Sequence, residues 1–401
     1  ILPLQQEKTK LAMIRMILSA LAVATAVNTL ATNPFSDIEQ EIAENNPELA
    51  SARLEYESAR LNDAADNNLS DPEVEFEHLW SRGGHKKWSA GISQSFDWPG
   101  AYGARSNAAR TKAEARGMML ERQQSEVMFK ARGLMLEIVG INRQLELTDS
   151  ILSNLSLLEE RIGKAVGQGH ATRLDLGKIK FAALSLMEDR DSRLNQLAAA
   201  RASLNALNGG KATDISGLTV YPSERLLDEK DYIDAFDNSN PYLPAMQAQV
   251  RAAEAEAKAV SRSALPSFTV GYRHAYEEEM HYNGFAVGMS LPFLSTRHKK
   301  KAAEADALAR SLDMDSYRFS GHAAIIADVA SARRMKQRLE SFEKTFSDAD
   351  YSSILNRLYE NGQIGVIDYI TEINYYLDIR RQYLQLQNEY QLTLASLNRY
   401  L

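Results

Sequence analysis

The sequence predicts a mainly α-helical chain that carries two β-hairpins, with the whole arrangement built twice. Three observations predict this fold class. Short motifs recur in the same order at a near-constant distance, four segments alternate apolar and polar residues, and two long stretches without proline carry heptad patterns. The 401 residues allow one large domain or two ordinary ones.

The composition excludes several classes of function. Hydrophobic residues make up 44% of the chain and charged residues 25%, which is typical of neither a disordered chain nor a helical membrane protein. The net charge is −7 and no basic block offers a phosphate footprint, so no nucleic-acid partner is expected. The chain has no cysteine, and its seven histidines form no metal-binding motif. We therefore expect no enzyme, no resident metal and no cofactor.

The first residues have the layout of a secretory signal peptide. Lys8, Lys10 and Arg15 precede an apolar run, Met16–Val27, and small residues with a possible cleavage site at Thr29-Leu30-Ala31 follow. The run is short for a membrane span. We predict a signal peptide over residues 1–31; an N-terminal anchor or a buried helix is the alternative.

The duplication defines the predicted domains. Asn46-Pro47-Glu48-Leu49 recurs 194 residues later as Asn240-Pro241-Tyr242-Leu243, and Ala202-Ser203-Leu204-Asn205 recurs letter for letter 193 residues later. Each repeat is expected to contain a helix, a β-hairpin and a long helical hairpin. The predicted repeats span residues 32–208 and 233–401. An equatorial linker at 209–232, with little core of its own, is expected between them. Within the repeats we predict helices at about 35–66 and 241–263, β-hairpins at about 72–98 and 266–294, and helical hairpins at about 101–207 and 297–399.

The strands of both hairpins alternate strictly, so each has one apolar and one polar face. The apolar face predicts contact with lipid, because the strands run about ten residues and aromatic side chains lie near their ends. The alternative is a soluble sheet packed on a helix. The predicted lipid-facing residues are Phe268, Val270, Phe285, Val287, Met289 and Leu291.

A membrane location for these strands requires oligomerisation. Four strands cannot close a barrel, since about eight are the minimum, and open edges are not tolerated in lipid. Two copies would give eight strands and three would give twelve. Closure would turn the polar faces inward, so Glu73, Glu75 and Glu77 are the predicted lumen residues. They either favour cations or form an ordinary solvated lining.

The two long helical hairpins carry heptad seams. Apolar residues from Leu120 to Ile162 recur at seven-residue steps, and no proline interrupts residues 101–166. Glycine-containing turns at 167–175 and 361–368 join the helices of each pair. Two simpler alternatives stay open: the turns serve only as helix caps, and the helices form a plain coiled-coil rod.

Together, the signal sequence, the duplicated plan and the two turns of pattern Gly-x-x-small-x-x-Asp resemble the TolC family of outer-membrane efflux proteins. The resemblance covers residues 33–401. It implies a homotrimer in the outer membrane of a Gram-negative bacterium, with a twelve-stranded β-barrel and a periplasmic α-barrel. It also implies two partners, a periplasmic adaptor protein and an inner-membrane pump of the RND type.

The resemblance also implies roles for the turns, which we call the first and second tips. The constriction of the tunnel entrance would involve Asp368, Thr371 and Glu372. The residues expected to dock on the adaptor are Gly167, Gly169, Thr172, Leu174, Asp175, Gly362, Gly365, Ile367 and Asp368.

Residues 93–100, followed by Arg105, look like the heavy-metal efflux branch of the family, of the CzcC and CusC type, which suggests metal cations as cargo. Many members of that branch are lipoproteins, and this chain lacks the cysteine. Two alternatives to an efflux duct stay open. One is the outer-membrane duct of a type I protein secretion system, and the other, of a different class, is a structural coiled-coil protein of the envelope.

Overall fold

The computed structural model describes residues 34–65, 67–80, 86–277, 279–290, 297–348 and 351–401. The predicted signal peptide and Leu291 lie outside the described residues. The elements are α1 (Pro34–Asn45), α2 (Pro47–Ala65), β1 (Glu73–Trp80), β2 (Lys86–Phe96), α3 (Pro99–Gly167), α4 (Arg173–Leu207), α5 (Glu229–Ser239), α6 (Tyr242–Arg262), β3 (Ser267–Glu277), β4 (Met280–Ser290), α7 (Arg297–Asp348), α8 (Tyr351–Glu360), α9 (Val366–Leu397) and a short 3-10 helix (Asn398–Tyr400).

The repeated Asn-Pro motif divides the helix predicted at about 35–66 into α1 and α2. Asn46 Oδ1 accepts a hydrogen bond from Leu49 N at 3.0 Å, while its Nδ2 donates to Leu207 O at 2.8 Å. Asn240 does the same in the second repeat, accepting from Tyr242 N at 2.9 Å and donating to the Tyr317 hydroxyl at 3.2 Å. Both asparagines are buried, so each starts a helix and fastens it to a neighbouring helix.

The long helices pack through the predicted heptad seam. Val127, Ala131 and Ile138 of α3 are fully buried. In the half of α3 that ends at the first tip, Leu155 and Ile179 of the first helical hairpin share one cluster with Ile373 of the second. The two helical hairpins therefore form one packed unit. With 69 residues, α3 extends roughly 100 Å at 1.5 Å per residue.

The segment between the repeats contributes more to the core than predicted. Leu218 is fully buried in the cluster formed by α1, α3 and α4, and Tyr232 of α5 is 1% exposed. The predicted linker thus places apolar residues in clusters formed with the surrounding helices, and α5 was not predicted. The reason is physical: isolated apolar residues inserted between helices leave no periodic pattern in the sequence.

The four strands form one antiparallel sheet in the order β1-β2-β3-β4. The two hairpins, one from each repeat, join between β2 and β3, where the Ser95 and Thr269 hydroxyls lie 2.9 Å apart. Across the sheet, Val74, Ile92, Tyr272 and Phe285 form one row of paired residues. Since paired residues share a face, the predicted apolar faces of all four strands lie on the same side.

A close helix contact gives a stability prediction. A Cβ added to Gly321 of α7 would lie 2.2 Å from the buried Phe236 ring of α5. We expect Gly321→Ala to destabilise the chain by about 1–3 kcal/mol through overpacking, measured as a lower midpoint of thermal unfolding. Gly133→Ala is the matched control, because no atom lies within 4 Å of its added Cβ, and alanine there favours the helix. A Phe236→Leu change should partly restore the Gly321→Ala variant. Equal midpoints for the two alanine variants would contradict the prediction.

Candidate functional site

The apolar face of the sheet is exposed to an unusual degree. Phe285 is 85% exposed, Val74 79% and Val287 78%, and every residue of β1 and β4 is exposed. A soluble sheet packed on a helix would bury such a face. The exposed face therefore argues against the soluble-sheet alternative. The predicted lipid-facing residues that the structure describes all lie on it: Phe268, Val270, Phe285, Val287 and Met289.

The opposite face is polar and lined by small residues. It carries the predicted lumen residues Glu73, Glu75 and Glu77, but two cations lie among them. Arg273 forms an ion pair with Glu75 at 2.5 Å, and Lys87 pairs with Glu277 at 2.9 Å. The two cations, which come from β2 and β3, make the face less acidic than the three predicted glutamates alone indicate.

Aromatic and imidazole side chains gather where the strands approach their turns. His78, Trp88, Tyr276 and His281 form one row across the sheet on the apolar face. The rings of Trp88 and Tyr276 lie 6.2 Å apart, and those of Tyr276 and His281 5.0 Å apart. Rings with a polar edge are typical of the boundary between lipid and water.

The two tips lie side by side at the far end of the helical hairpins. A cleft of about 760 Å³ separates them, lined by residues of both tips, among them His170, Asp175, Gly362 and Asp368. Arg161 of α3 and Glu360 of α8 form an ion pair across the cleft at 2.9 Å. The structure thus brings together the two sets of residues that the sequence placed 193 positions apart.

The tips end and restart their helices in related ways. Gly169 and Gly362 have φ angles of +77° and +70°, which glycine adopts without strain. In the first tip, Thr172 and Asp175 cap each other in a capping box. In the second tip, the Asp368 carboxylate accepts from Gly365 N at 3.3 Å, and glycine supplies no reciprocal hydroxyl. The second cap therefore has only half of the hydrogen bonds.

Hydrogen bonds from Thr172 lower the pKa of Asp175. A carboxyl group whose pKa is lowered by folding contributes stability at pH values above its unfolded pKa, and this contribution is lost as the pH falls through the lowered value. The contribution of the first cap is therefore fully present at neutral pH and is lost in acid.

Two of the three predicted constriction residues, Asp368 and Thr371, are exposed. Glu372 is different, because it accepts a hydrogen bond from the Tyr351 hydroxyl of α8, and this bond raises the pKa of Tyr351. Glu372 is held against its own chain, which argues against a free carboxylate at the constriction.

Two tip residues are apolar and well exposed, with Leu174 at 65% and Ile367 at 45%.

In the parts of the chain that the structure describes, no helix has an apolar stretch long enough to cross a membrane. Among the same residues, no group of three or more histidine or acidic side chains is placed to hold a metal ion.

Comparison with solved structures identifies the fold. The outer-membrane channel OprN matches with a TM-score of 0.74 over 92% of this chain and 89% of that chain, at 13% identity. The outer-membrane protein VceC of Vibrio cholerae matches with a TM-score of 0.71 over 91% and 95%, at 14% identity. CusC matches with a TM-score of 0.68 over 93% and 94%, at 16% identity. The chain has the TolC-like channel fold.

The TolC-like fold predicted from the sequence is thus confirmed for the single chain. No family model and no curated protein matches the sequence, so the similarity to these proteins is found in the structure and not in the sequence. The channel fold alone selects no cargo branch, because CusC is no more similar in structure than OprN or VceC.

Proposed function

We propose that three copies of the chain form an outer-membrane channel, the exit duct of a tripartite efflux system in a Gram-negative bacterium. The duct conducts substrates passively from an inner-membrane pump, through a periplasmic adaptor, to the exterior. The observation that carries this proposal is the sheet, which exposes its apolar face and ends in two strands, β1 and β4, that have a partner on only one side within the chain.

The two edge strands explain why one chain is only part of the channel. Backbone groups at a sheet edge cannot be satisfied in lipid, so β1 of one copy must pair with β4 of the next until the ring closes. Three copies of a four-stranded sheet give twelve strands. Such a ring turns the apolar face toward lipid and the face with Glu73, Glu75 and Glu77 toward a water-filled lumen.

The row of helices next to the sheet also leaves apolar residues uncovered at both of its edges. Here α2, α3, α6 and α7 lie side by side in that order. The outer helices expose apolar residues at seven-residue steps: Leu54 and Leu61 on α2, and Leu312, Phe319 and Ile326 on α7. Apolar heptad stripes of this kind are normally covered by another helix. A neighbouring copy would supply one and extend the ring into a helical tunnel.

At the other end, the paired tips are the proposed docking surface for the adaptor, which joins the duct to a pump of the RND type. The residues assigned to this surface stay those predicted from the sequence. The proposed tunnel constriction is the predicted set of Asp368, Thr371 and Glu372, of which Asp368 and Thr371 are exposed.

Metal cations are the cargo class that the resemblance of residues 93–100 favours. In the structure this segment forms the corner between β2 and α3, where Asp97 pairs with Arg105 at 2.7 Å and its backbone N–H donates to the Tyr102 hydroxyl at 2.9 Å. These contacts give the segment a structural role at the corner. Cargo selection belongs to the pump and the adaptor.

The proposal is tested by membrane fractionation. We expect the chain, produced in a Gram-negative host, to fractionate with the outer membrane and to migrate there as a trimer that dissociates on heating. The purified trimer should give stepwise conductance in a planar lipid bilayer. Recovery of a water-soluble monomer would overturn the proposal.

A further inference from the structure

The hairpin of β3 and β4 brings two histidines together on the apolar face, close to its turn. Backbone pairing places His274 opposite Asn283 and His281 opposite Tyr276. The two histidines are therefore diagonal neighbours on one face of the sheet. Their rings stack with centroids 5.4 Å apart, and His281 Nδ1 lies 3.3 Å from His274 Nε2. This pair depends on the register of the hairpin and forms no motif in the sequence.

A further hydrogen bond orients the ring of His274. Its Nδ1 lies 2.8 Å from Asn283 Oδ1, which also accepts a hydrogen bond from the Tyr272 hydroxyl at 2.7 Å. Because a carbonyl oxygen only accepts, His274 Nδ1 carries the proton. In the neutral imidazole, Nε2 then keeps a lone pair on the side of His281. Histidines that bind metals usually donate their other ring N–H to an acceptor of this kind.

The spacing of the two ring nitrogens suits a pair of ligands on one metal ion. Zinc binds histidine nitrogen at about 2.0–2.1 Å, so two nitrogens of a tetrahedral site lie about 3.3 Å apart. The His274 Nε2 to His281 Nδ1 distance has the same value, 3.3 Å. Small rotations of the two rings would direct both lone pairs at one ion. Imidazole nitrogen suits Cu²⁺, Ni²⁺ and Zn²⁺, whereas Mg²⁺ and Ca²⁺ take oxygen ligands.

The surroundings of the pair admit a hydrated cation. His281 and Asn283 are exposed, so water can reach the site and complete the coordination. The pair lies where the aromatic row marks the boundary between lipid and water. In the described strands, the two rows of paired residues that contain the site carry no lysine or arginine, so no cation of these rows opposes the ion.

We propose that His274 and His281 together bind one divalent cation of the late first-row transition metals, with Asn283 positioning the ring of His274. The site lies on the face opposite Glu73, Glu75 and Glu77, so the ion is not cargo in transit through the proposed lumen. A bound ion would join β3 to β4 and stabilise the folded sheet by mass action. The alternative is a plain hydrogen bond between two imidazoles.

The fluorescence of Trp88 offers a direct test, because its ring lies 5.3 Å from the His274 ring. The chain has three tryptophans, so Trp80→Phe with Trp98→Phe leaves Trp88 as the reporter. His85→Gln is added to this parent, since His85 is near Trp88 in the sequence. The full-length chain, purified in detergent with a tag free of histidine, is titrated with CuCl₂. Quenching should saturate, ZnCl₂ should compete with it, and MgCl₂ should not.

Variants of the pair show whether the proposed ligands bind the ion. His274→Gln and His281→Gln should each remove the saturable quenching, and Asn283→Leu should weaken binding by about 10–100-fold. His78→Gln is the matched control, because His78 lies in the same row as His281 but pairs with Trp88. It should bind copper like the parent. Circular dichroism checks folding, and His281→Gln, at an exposed position, decides if His274→Gln does not fold.

Each result bears on the site separately from the proposed duct. A parent without saturable quenching would overturn the inference and leave the plain hydrogen bond. Unchanged binding in both glutamine variants of the pair would also overturn it, because the ion would then bind elsewhere. Equal loss in His78→Gln would show that binding does not depend on the converging pair. None of these outcomes affects the trimer or its conductance, which test the proposed function.

Discussion

Arginine at Val287 is expected to remove the chain from the outer membrane, whereas arginine at the adjacent Ala286 is expected to leave it there. Val287 is 78% exposed on the apolar face and lies opposite Val270. Ala286 lies on the polar face opposite Gly271. An arginine facing lipid near the middle of the bilayer costs about 2–4 kcal/mol in a membrane barrel, and a trimer would contain three of them. An arginine facing the lumen remains in water.

The measurement is the amount of heat-dissociable trimer in the outer-membrane fraction, with total protein determined in parallel. The two variants carry the same added charge in the same strand, so any difference between them reports the face. Retention of Val287→Arg at the level of the unsubstituted chain would show that this face does not meet lipid. Loss of both variants would point to a general folding defect of β4 instead.

The two faces of the sheet could be predicted because alternation along a strand is fixed by backbone geometry. Counting residues alone places Phe268 and Phe285 on the apolar face. The pairing of β2 with β3 could not be predicted in the same way, because it joins Ser95 to Thr269 across 174 residues. Consequently the ion pair between Glu75 and Arg273, which depends on that pairing, was absent from the sequence prediction.

The long helices and their tips were predictable because both leave a repeating signal: a heptad seam in one case and duplicated glycine turns in the other. Single anchoring residues leave no such signal. Leu218, which enters the core from an irregular segment, is an example. The same limit applies to the surroundings of Glu372, a predicted tunnel residue. Its hydrogen bond to Tyr351 depends on how α8 packs against α9.

Replacing Leu174 and Ile367 together with arginine is expected to abolish efflux while leaving the trimer in the outer membrane. Both side chains are apolar and exposed at the tips, and burial of such side chains against the adaptor would stabilise the complex.

Bulky replacements at Gly169 and Gly362 are expected to have the same effect, but these positions require a positive φ. Asparagine tolerates that conformation better than most residues. Gly169→Asn and Gly362→Asn are therefore the replacements to use, because a loss of efflux in them would report the added side chain and not a broken turn.

The measurement compares a strain lacking the gene with the same strain carrying each variant. Growth is scored on ethidium, on copper and zinc salts and on bile salts, to find the compounds to which the deletion sensitises the cells. On those compounds the double arginine variant should grow no better than the deletion strain, although its trimer is present in the outer membrane at the level of the unsubstituted chain. If the trimer is lost as well, the tips act mainly as helix caps. Full growth of the double arginine variant would show that the adaptor contacts another surface, since two added charges in each copy would oppose docking on an apolar partner.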